Sequence, residues 1–103
     1  MRLKGRPVGP AISEKIQTED LSPTISLSII RNTGIETYYD IVLEGYQDEL
    51  EKIRGSIGTD NYYTPSGSFG KPMLILDTQD SELDVKTLFD LYKNLILVVT
   101  KYV

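Results

Sequence analysis

The sequence predicts an α+β fold, a single-domain two-layer sandwich in which two helices lie on one face of a mixed or antiparallel sheet. Three observations predict this class. Apolar residues alternate with a period of two over residues 24–44, two later segments carry apolar residues at helical spacing, and 103 residues suit one domain with one core. The expected order of elements is β-β-α-β-α-β, and the last strand has a helical alternative.

The N-terminal residues 1–23 are predicted to form an extended lead-in to a domain that spans residues 24–103. Proline lacks the N–H donor and fixes its own backbone angle, so it disfavours helix interiors and central strands. Three prolines interrupt this segment, at Pro7, Pro10 and Pro23. Between them, residues 11–16 leave room for one short strand.

Residues 24–44 predict an antiparallel hairpin. Between residues 24 and 30 aliphatic residues alternate with serines, which places one side of a strand in a core and the other in a polar environment. The sequence Asn-Thr-Gly at 32–34 is typical of a turn. Because the alternation resumes over residues 35–44, we expect two strands joined by a three-residue loop.

The period of the pattern changes after Gly45. Large apolar residues follow at intervals of four, three and four, with charged residues between them, which predicts an amphipathic helix packed on the hairpin. These residues are Tyr46, Leu50, Ile53 and Ile57. Gly58 is expected to end this helix, and the apolar run 73–76 that follows Pro72 predicts a short buried strand.

A second helix is predicted to begin at Ser81, where Ser-Glu-Leu-Asp at 81–84 matches a capping box. The acidic residues between Asp77 and Asp84 are interpreted as partners of the helix dipole rather than as metal ligands. Residues 95–103 have two interpretations. Their β-branched residues and Asn94 favour a terminal strand, whereas apolar residues at helical spacing would continue the helix.

The chain lacks the two residue types that supply imidazole and thiol groups. It has no His and no Cys, so its own side chains cannot form a Ser-His-Asp or Cys-His catalytic unit, a thiol redox centre, a Cys/His zinc site or a disulfide. Carboxylates, Tyr and Lys remain for acid–base chemistry, and no sequence spacing pairs them. We therefore predict no catalytic residue, metal ligand or cofactor, and the composition weighs against an enzyme.

The chain is acidic, with a formal net charge of -4 and a pI near 4.7. Nucleic-acid binders usually carry a basic face, so nucleic acid is not an expected partner. The basic start, with Arg2, Lys4 and Arg6, is interpreted as an ordinary solvated terminus rather than as an arm for phosphate or an acidic partner. No signal peptide and no apolar run of the roughly 20 residues of a membrane span is visible, which predicts a soluble cytoplasmic protein with no membrane partner.

The segment 58–72 is the most unusual part of the chain, because it is long for a loop and rich in Gly, Ser and Tyr. Its second half could hold a small anion, such as phosphate or a nucleotide, with backbone N–H groups, hydroxyls and an ammonium. The candidate ligand-binding residues are Ser66, Gly67, Ser68, Gly70 and Lys71. The P-loop pattern itself fails, because Pro65 and Pro72 stand where it needs Gly and Ser or Thr.

Aromatic and aliphatic residues outside the predicted core suggest a protein interface. The candidate interface residues are Tyr62, Tyr63 and Phe69 in the loop, and Ile30, Tyr38 and Val42 on the polar face of the hairpin. A sheet-to-sheet dimer would bury the second group. The alternatives are that the loop aromatics pack on their own domain and that residues 8–16 cover the hairpin patch.

The functional hypothesis favoured by these observations is a non-enzymatic protein-interaction domain, either a homodimer or a small subunit of a larger assembly. The alternative is binding of a small anionic ligand, phosphate or nucleotide, through the 58–72 loop.

Overall fold

The computed structural model describes residues 11–57, 61–65 and 69–101. Within them lie five strands and two helices, which confirms the predicted α+β class. The strands are β1 (Ile12–Asp20), β2 (Ser26–Thr33), β3 (Thr37–Glu44), β4 (Tyr62–Thr64) and β5 (Met73–Gln79), and the helices are α1 (Gln47–Ile57) and α2 (Glu82–Lys101).

The five strands form one sheet in the order β1-β2-β3-β5-β4, and every neighbouring pair is antiparallel. The predicted hairpin of residues 24–44 is confirmed as β2 and β3, which pair from Ser26 with Glu44 to Thr33 with Thr37. Its loop covers residues 34–36, two positions later than the turn predicted at 32–34. The Gly34 N–H closes this loop on the carbonyl oxygen of Glu36.

One face of the sheet, here called the first face, carries both helices and the main core. The alternation predicted for β2 places Leu27 and Ile29 in this core, where both are fully buried. From α1, Leu50 and Ile53 pack against it, as their helical spacing predicted. Burial of these aliphatic side chains, at about 25 cal/mol for each Å² removed from water, holds the two layers together.

The opposite face, here called the second face, combines a small apolar cluster with a row of hydrogen bonds. The cluster consists of Ile30, Val42, Met73 and Ile75, all buried. In the row, Ser13 donates to Asn32 Oδ1 at 2.7 Å, and Asn32 Nδ2 donates to Asp40 Oδ2 at 3.1 Å. Thr78 Oγ1 donates to the other oxygen of Asp40 at 2.9 Å. The row therefore crosses four strands, from β1 to β5.

The two edge strands differ from the sequence-based prediction. Room for one short strand was expected at residues 11–16, whereas β1 is nine residues long and pairs with β2 from Ile12 to Asp20, with a bulge between Lys15 and Gln17. β4 lies inside the predicted 58–72 loop and pairs with the start of β5. Both are edge strands whose residues are exposed or half-buried, which explains why no apolar alternation in the sequence predicted them in full.

The strand predicted for residues 95–103 is wrong, because α2 continues without interruption to Lys101. Ile96 is fully buried in the main core, and the Thr100 hydroxyl donates to the Ile96 carbonyl oxygen at 2.8 Å, as a helix allows. The β-branched residues cost a helix only tenths of a kcal/mol each, which burial of one large side chain exceeds. Within the described residues, neither helix has the length and apolar character needed to span a membrane.

Candidate functional site

α2 carries two apolar seams that run side by side along the helix. The core seam consists of Val85, Phe89, Tyr92 and Ile96, all buried. A second set, here called the outer seam, consists of Leu88, Leu91, Leu95 and Val98. Both sets alternate intervals of three and four residues, the spacing with which one helix packs along another. Leu88, Leu91 and Leu95 each immediately precede a core-seam residue, so the outer seam lies about 100° round the helix from the core.

The outer seam is largely open to water. Leu91, Leu95 and Val98 are 61%, 37% and 55% exposed, whereas Leu88 is half-buried against the core. Single exposed aliphatic residues are common, but several in line on one helix form a continuous patch. Such a patch is typical of a surface that contacts another protein.

Two polar contacts fix the rotation of α2 and so keep the outer seam exposed. The Tyr92 hydroxyl donates to the Leu76 carbonyl oxygen of β5 at 3.3 Å. Burial and the nearby carboxylate of Asp77 both raise the pKa of the Tyr92 phenol, because they oppose the phenolate. On the other flank, Lys93 Nζ lies 2.6 Å from Glu19 Oε2 of β1, and this hydrogen bond and charge raise the pKa of Lys93.

The polar residues beside the outer seam carry opposite charges at its two ends. α2 begins with Glu82 and Asp84 and ends with Lys101, each favourable to the helix dipole. Between them, Thr87 and Asn94 lie on the exposed side of the helix next to the leucines. The surface is therefore apolar along its centre, acidic at one end and basic at the other.

A second candidate region is a cavity of about 360 Å³ at the end of the second face. Asp20, Ser26 and Glu44 belong to one cross-strand row and line the cavity, and Lys71 lines it from the start of β5. Ser22 and Thr24 add hydroxyl groups. Three chain segments thus bring two carboxylates, one ammonium and several hydroxyls to one place.

The buried carboxylate at this cavity already has an ionic partner. Lys15 Nζ lies 2.7 Å from Glu44 Oε1 and 4.6 Å from the centroid of the Phe69 ring. The Glu44 side chain is 2% exposed, and both of its oxygens are shielded from solvent. Because Lys15 belongs to β1 and Phe69 follows β4 in the chain, this contact joins residues from opposite ends of the sheet. Glu44 is therefore part of the protein's interior rather than a free acid or base.

The hairpin residues of the predicted interface do not form a free surface. Ile30 and Val42 are buried in the second-face cluster, and Tyr38 is buried beside it. The prediction that these three residues form an exposed patch is therefore wrong. A sheet-to-sheet dimer that buries this patch has no such surface to use. The side chains of Ile30 and Val42 pack with Met73 and Ile75 of their own chain.

The loop aromatics of the predicted interface have three different environments. Tyr63 is half-buried against the main core, and its hydroxyl has no hydrogen-bond partner within the described part of the chain. Tyr62 is 52% exposed at the sheet edge. Phe69 is partly exposed above Lys15. Tyr62 and Tyr63 therefore lie on opposite faces of the sheet and do not form one patch.

Of the predicted anion-binding residues, Lys71 is the one whose position supports a ligand site, because it lines the cavity. Gly70 adopts a φ of 75°, a left-handed conformation that favours glycine. Ser66, Gly67 and Ser68 lie outside the described residues. Among the described residues, no group of three or more carboxylates is placed to hold a metal ion.

Comparison with known proteins adds no relative to this description. Searches of protein-family models, of curated proteins and of solved structures each return no match to the chain. Functional inference therefore depends on the chain's own geometry.

The outer seam was not among the predicted interface residues, although its spacing is present in the sequence. Leu88, Leu91, Leu95 and Val98 lie on one side of a helix only if the helix reaches residue 98. Assigning residues 95–103 to a strand removed half of the seam.

Proposed function

We propose that this chain is a non-enzymatic protein-interaction domain that binds a protein through the outer seam of α2, as a homodimer or as a small subunit of a larger assembly. The observation that carries the proposal is the exposure of Leu91, Leu95 and Val98 in line on one helix. Burying such side chains against a partner contributes about 25 cal/mol for each Å² removed from water. The core seam of the same helix packs against the sheet, so the fold does not require the exposed side chains of the outer seam.

The positions of the buried acids support the non-enzymatic part of the proposal. Asp40 accepts hydrogen bonds from Asn32 and Thr78, and Glu44 pairs with Lys15. Asp77 accepts from the Thr78 backbone N–H at 2.8 Å. A general acid or base needs access to substrate, whereas Asp40 and Glu44 link neighbouring strands and Asp77 is held within its own strand.

Size-exclusion chromatography with light scattering, run over the micromolar range, tests the homodimer. Affinity purification with the chain as bait tests the subunit alternative. Leu91→Glu places a charge in the centre of the outer seam and is expected to abolish binding. Leu83→Glu is the matched control, because Leu83 is also exposed on α2 but lies outside the seam. The proposal would be refuted if the wild-type chain were monomeric and if affinity purification recovered the same proteins with the wild type and with the Leu91→Glu variant as bait.

The second candidate function, binding of a small anionic ligand, is supported by Lys71 and the hydroxyls of Ser22, Thr24 and Ser26 around the cavity. The carboxylate of Asp20 lines the same cavity and opposes an anion. Thermal unfolding with inorganic phosphate and with a nucleotide panel tests this function. It predicts a rise in melting temperature that disappears in Lys71→Ala, and no rise with any of these ligands would remove it.

A further inference from the structure

We propose that the partner of the outer seam is a second copy of this chain, docked so that the two α2 helices run antiparallel about a two-fold axis. This inference rests on the proposed function and specifies its partner and geometry. It follows from the spacing of the seam, from the charges at the two ends of α2, and from the burial of the second face of the sheet.

The spacing of the seam makes it complementary to itself when one copy is reversed. If the two-fold axis crosses the seam midway between Leu91 and Leu95, Leu91 of one copy faces Leu95 of the other, and Leu88 faces Val98. All four seam positions then meet an aliphatic partner, and the alternation of three and four residues is kept along the contact. A two-fold arrangement of this kind uses the same patch on both copies and closes on itself.

The charges of α2 select the antiparallel direction. Reversal places Asp84 in the first turn of one helix next to Lys101 in the last turn of the other, twice in each dimer. A parallel arrangement would bring the two Asp84 carboxylates together at one end and the two Lys101 ammonium groups at the other. Like charges at close range repel, so the antiparallel arrangement is favoured.

The other apolar surface suggested by the sequence does not compete for this role. The second-face side chains of Ile30, Val42 and Ile75 are buried within one chain. Edge strand β1 carries Glu14, Lys15 and Glu19, and charged residues on an edge strand disfavour pairing with another chain.

The size of the contact predicts a weak dimer. A stable interface removes about 800 Å² of surface from each partner, and one helix seam with four aliphatic side chains offers less. We therefore expect a dissociation constant in the micromolar range, which makes the oligomeric state depend on concentration.

The direction of packing is tested by crosslinking single-cysteine variants, because the natural chain has no Cys. Asn94→Cys lies beside the expected axis, so a short bismaleimide crosslinker should join the two copies. Thr87→Cys lies on the same exposed side of the helix, but its two copies would be about 18 Å apart along the axis, at 1.5 Å per residue. We expect covalent dimer from Asn94→Cys and none from Thr87→Cys. In a parallel dimer the two copies of each residue would lie at the same level along the helices, so the two variants would behave alike.

Charge exchange is the second test. Asp84→Lys and Lys101→Glu should each weaken dimerisation about fivefold, because each replaces two attractive pairs by repulsive ones. The double variant should restore the wild-type dissociation constant. Measured by sedimentation equilibrium, unchanged constants in both single variants would contradict the antiparallel arrangement.

These outcomes separate the inference from the proposed function. A dimer that Leu91→Glu abolishes, but that crosslinks at Thr87→Cys or ignores the charge variants, overturns the antiparallel geometry and leaves the outer seam as an interface. If the wild type is monomeric and binds a different protein through the outer seam, the inference that the partner is a second copy is wrong, whereas the proposed function as an interaction domain stands. A dimer that Leu91→Glu leaves unchanged overturns both.

Discussion

The ammonium of Lys15 lies 2.7 Å from the buried carboxylate of Glu44, and the Phe69 ring covers the same ammonium. This ion pair links β1 to β3 across the second face of the sheet. Its two members differ in their access to water, since the Lys15 side chain is 28% exposed and that of Glu44 is 2% exposed.

That difference predicts unequal effects of removing each partner. Lys15→Met leaves a buried carboxylate without its cation and should lower the free energy of unfolding by about 2–4 kcal/mol. Glu44→Gln leaves an ammonium that can turn to water, so we expect a loss of about 1 kcal/mol. Urea unfolding measures the free energy of unfolding of both variants. A larger loss in Glu44→Gln than in Lys15→Met would contradict the claim that the buried carboxylate depends on Lys15.

The hydrogen-bond row on the second face leads to a second prediction. Thr78→Val keeps the shape of the side chain but removes the hydroxyl that donates to the Asp40 carboxylate. Because Asp40 is buried, we expect a loss of about 1.5–3 kcal/mol in urea unfolding.

Thr87→Val is the matched control for this prediction. The Thr87 hydroxyl donates to the Leu83 carbonyl oxygen on the exposed side of α2, so its removal should cost less than about 0.5 kcal/mol. Equal losses in the two variants would mean that the buried row adds nothing to stability beyond an exposed hydroxyl.

The helical end of α2 leads to a third prediction. Ile96→Ala opens a cavity in the main core and should cost about 2–5 kcal/mol, whereas Val98→Ala removes an outer-seam side chain and should cost less than about 1 kcal/mol. Both are measured by urea unfolding at concentrations where the chain is monomeric. A larger loss for Val98→Ala would place residue 98 rather than residue 96 in the core.

The Tyr92 phenol leads to a prediction about alkaline pH. Its pKa is raised in the folded protein, so the unfolded chain loses this proton first as pH rises. Stability from this group is therefore complete below the unfolded pKa of about 10 and declines as pH rises from there to the higher folded pKa.

Tyr92→Phe removes the titrating group, so the decline of the urea midpoint above about pH 9 should become shallower. Thr87→Val, which removes an exposed hydroxyl that does not titrate, should leave the slope as in the wild type. An identical slope in Tyr92→Phe and wild type would contradict the assigned effect of burial and of Asp77.

The elements that the sequence revealed are those with a strong local pattern. Period-two alternation marked β2 and β3, and helical spacing with Leu50 and Ile53 marked α1, because in each case the buried residues lie within one short segment. β1 escaped because it is an edge strand. Ser13 pairs with Asn32 and Glu14 with Arg31, so polar side chains hold β1 to the sheet. The sequence of β1 therefore lacks the apolar alternation that predicts a strand.

The parts that were missed depend on contacts distant in sequence. Burial of Ile96 in the main core decides that residues 95–101 are helical, and local β-propensity carries no information about this burial. The cavity likewise needs Asp20, Glu44 and Lys71 from three segments, which only the strand order brings together. The outer seam combines both kinds of dependence. Its spacing is a local pattern, but the seam exists only if the helix reaches Val98.

Sedimentation equilibrium of the wild-type chain, Leu91→Glu and Leu83→Glu over the micromolar range tests the central claim most directly. We predict a monomer–dimer equilibrium for the wild type and for Leu83→Glu, and a monomer at every concentration for Leu91→Glu. Circular dichroism of Leu91→Glu should match that of the wild type, because Leu91 is 61% exposed. A folded Leu91→Glu variant that dimerises as strongly as the wild type would contradict the assignment of the outer seam as an interface.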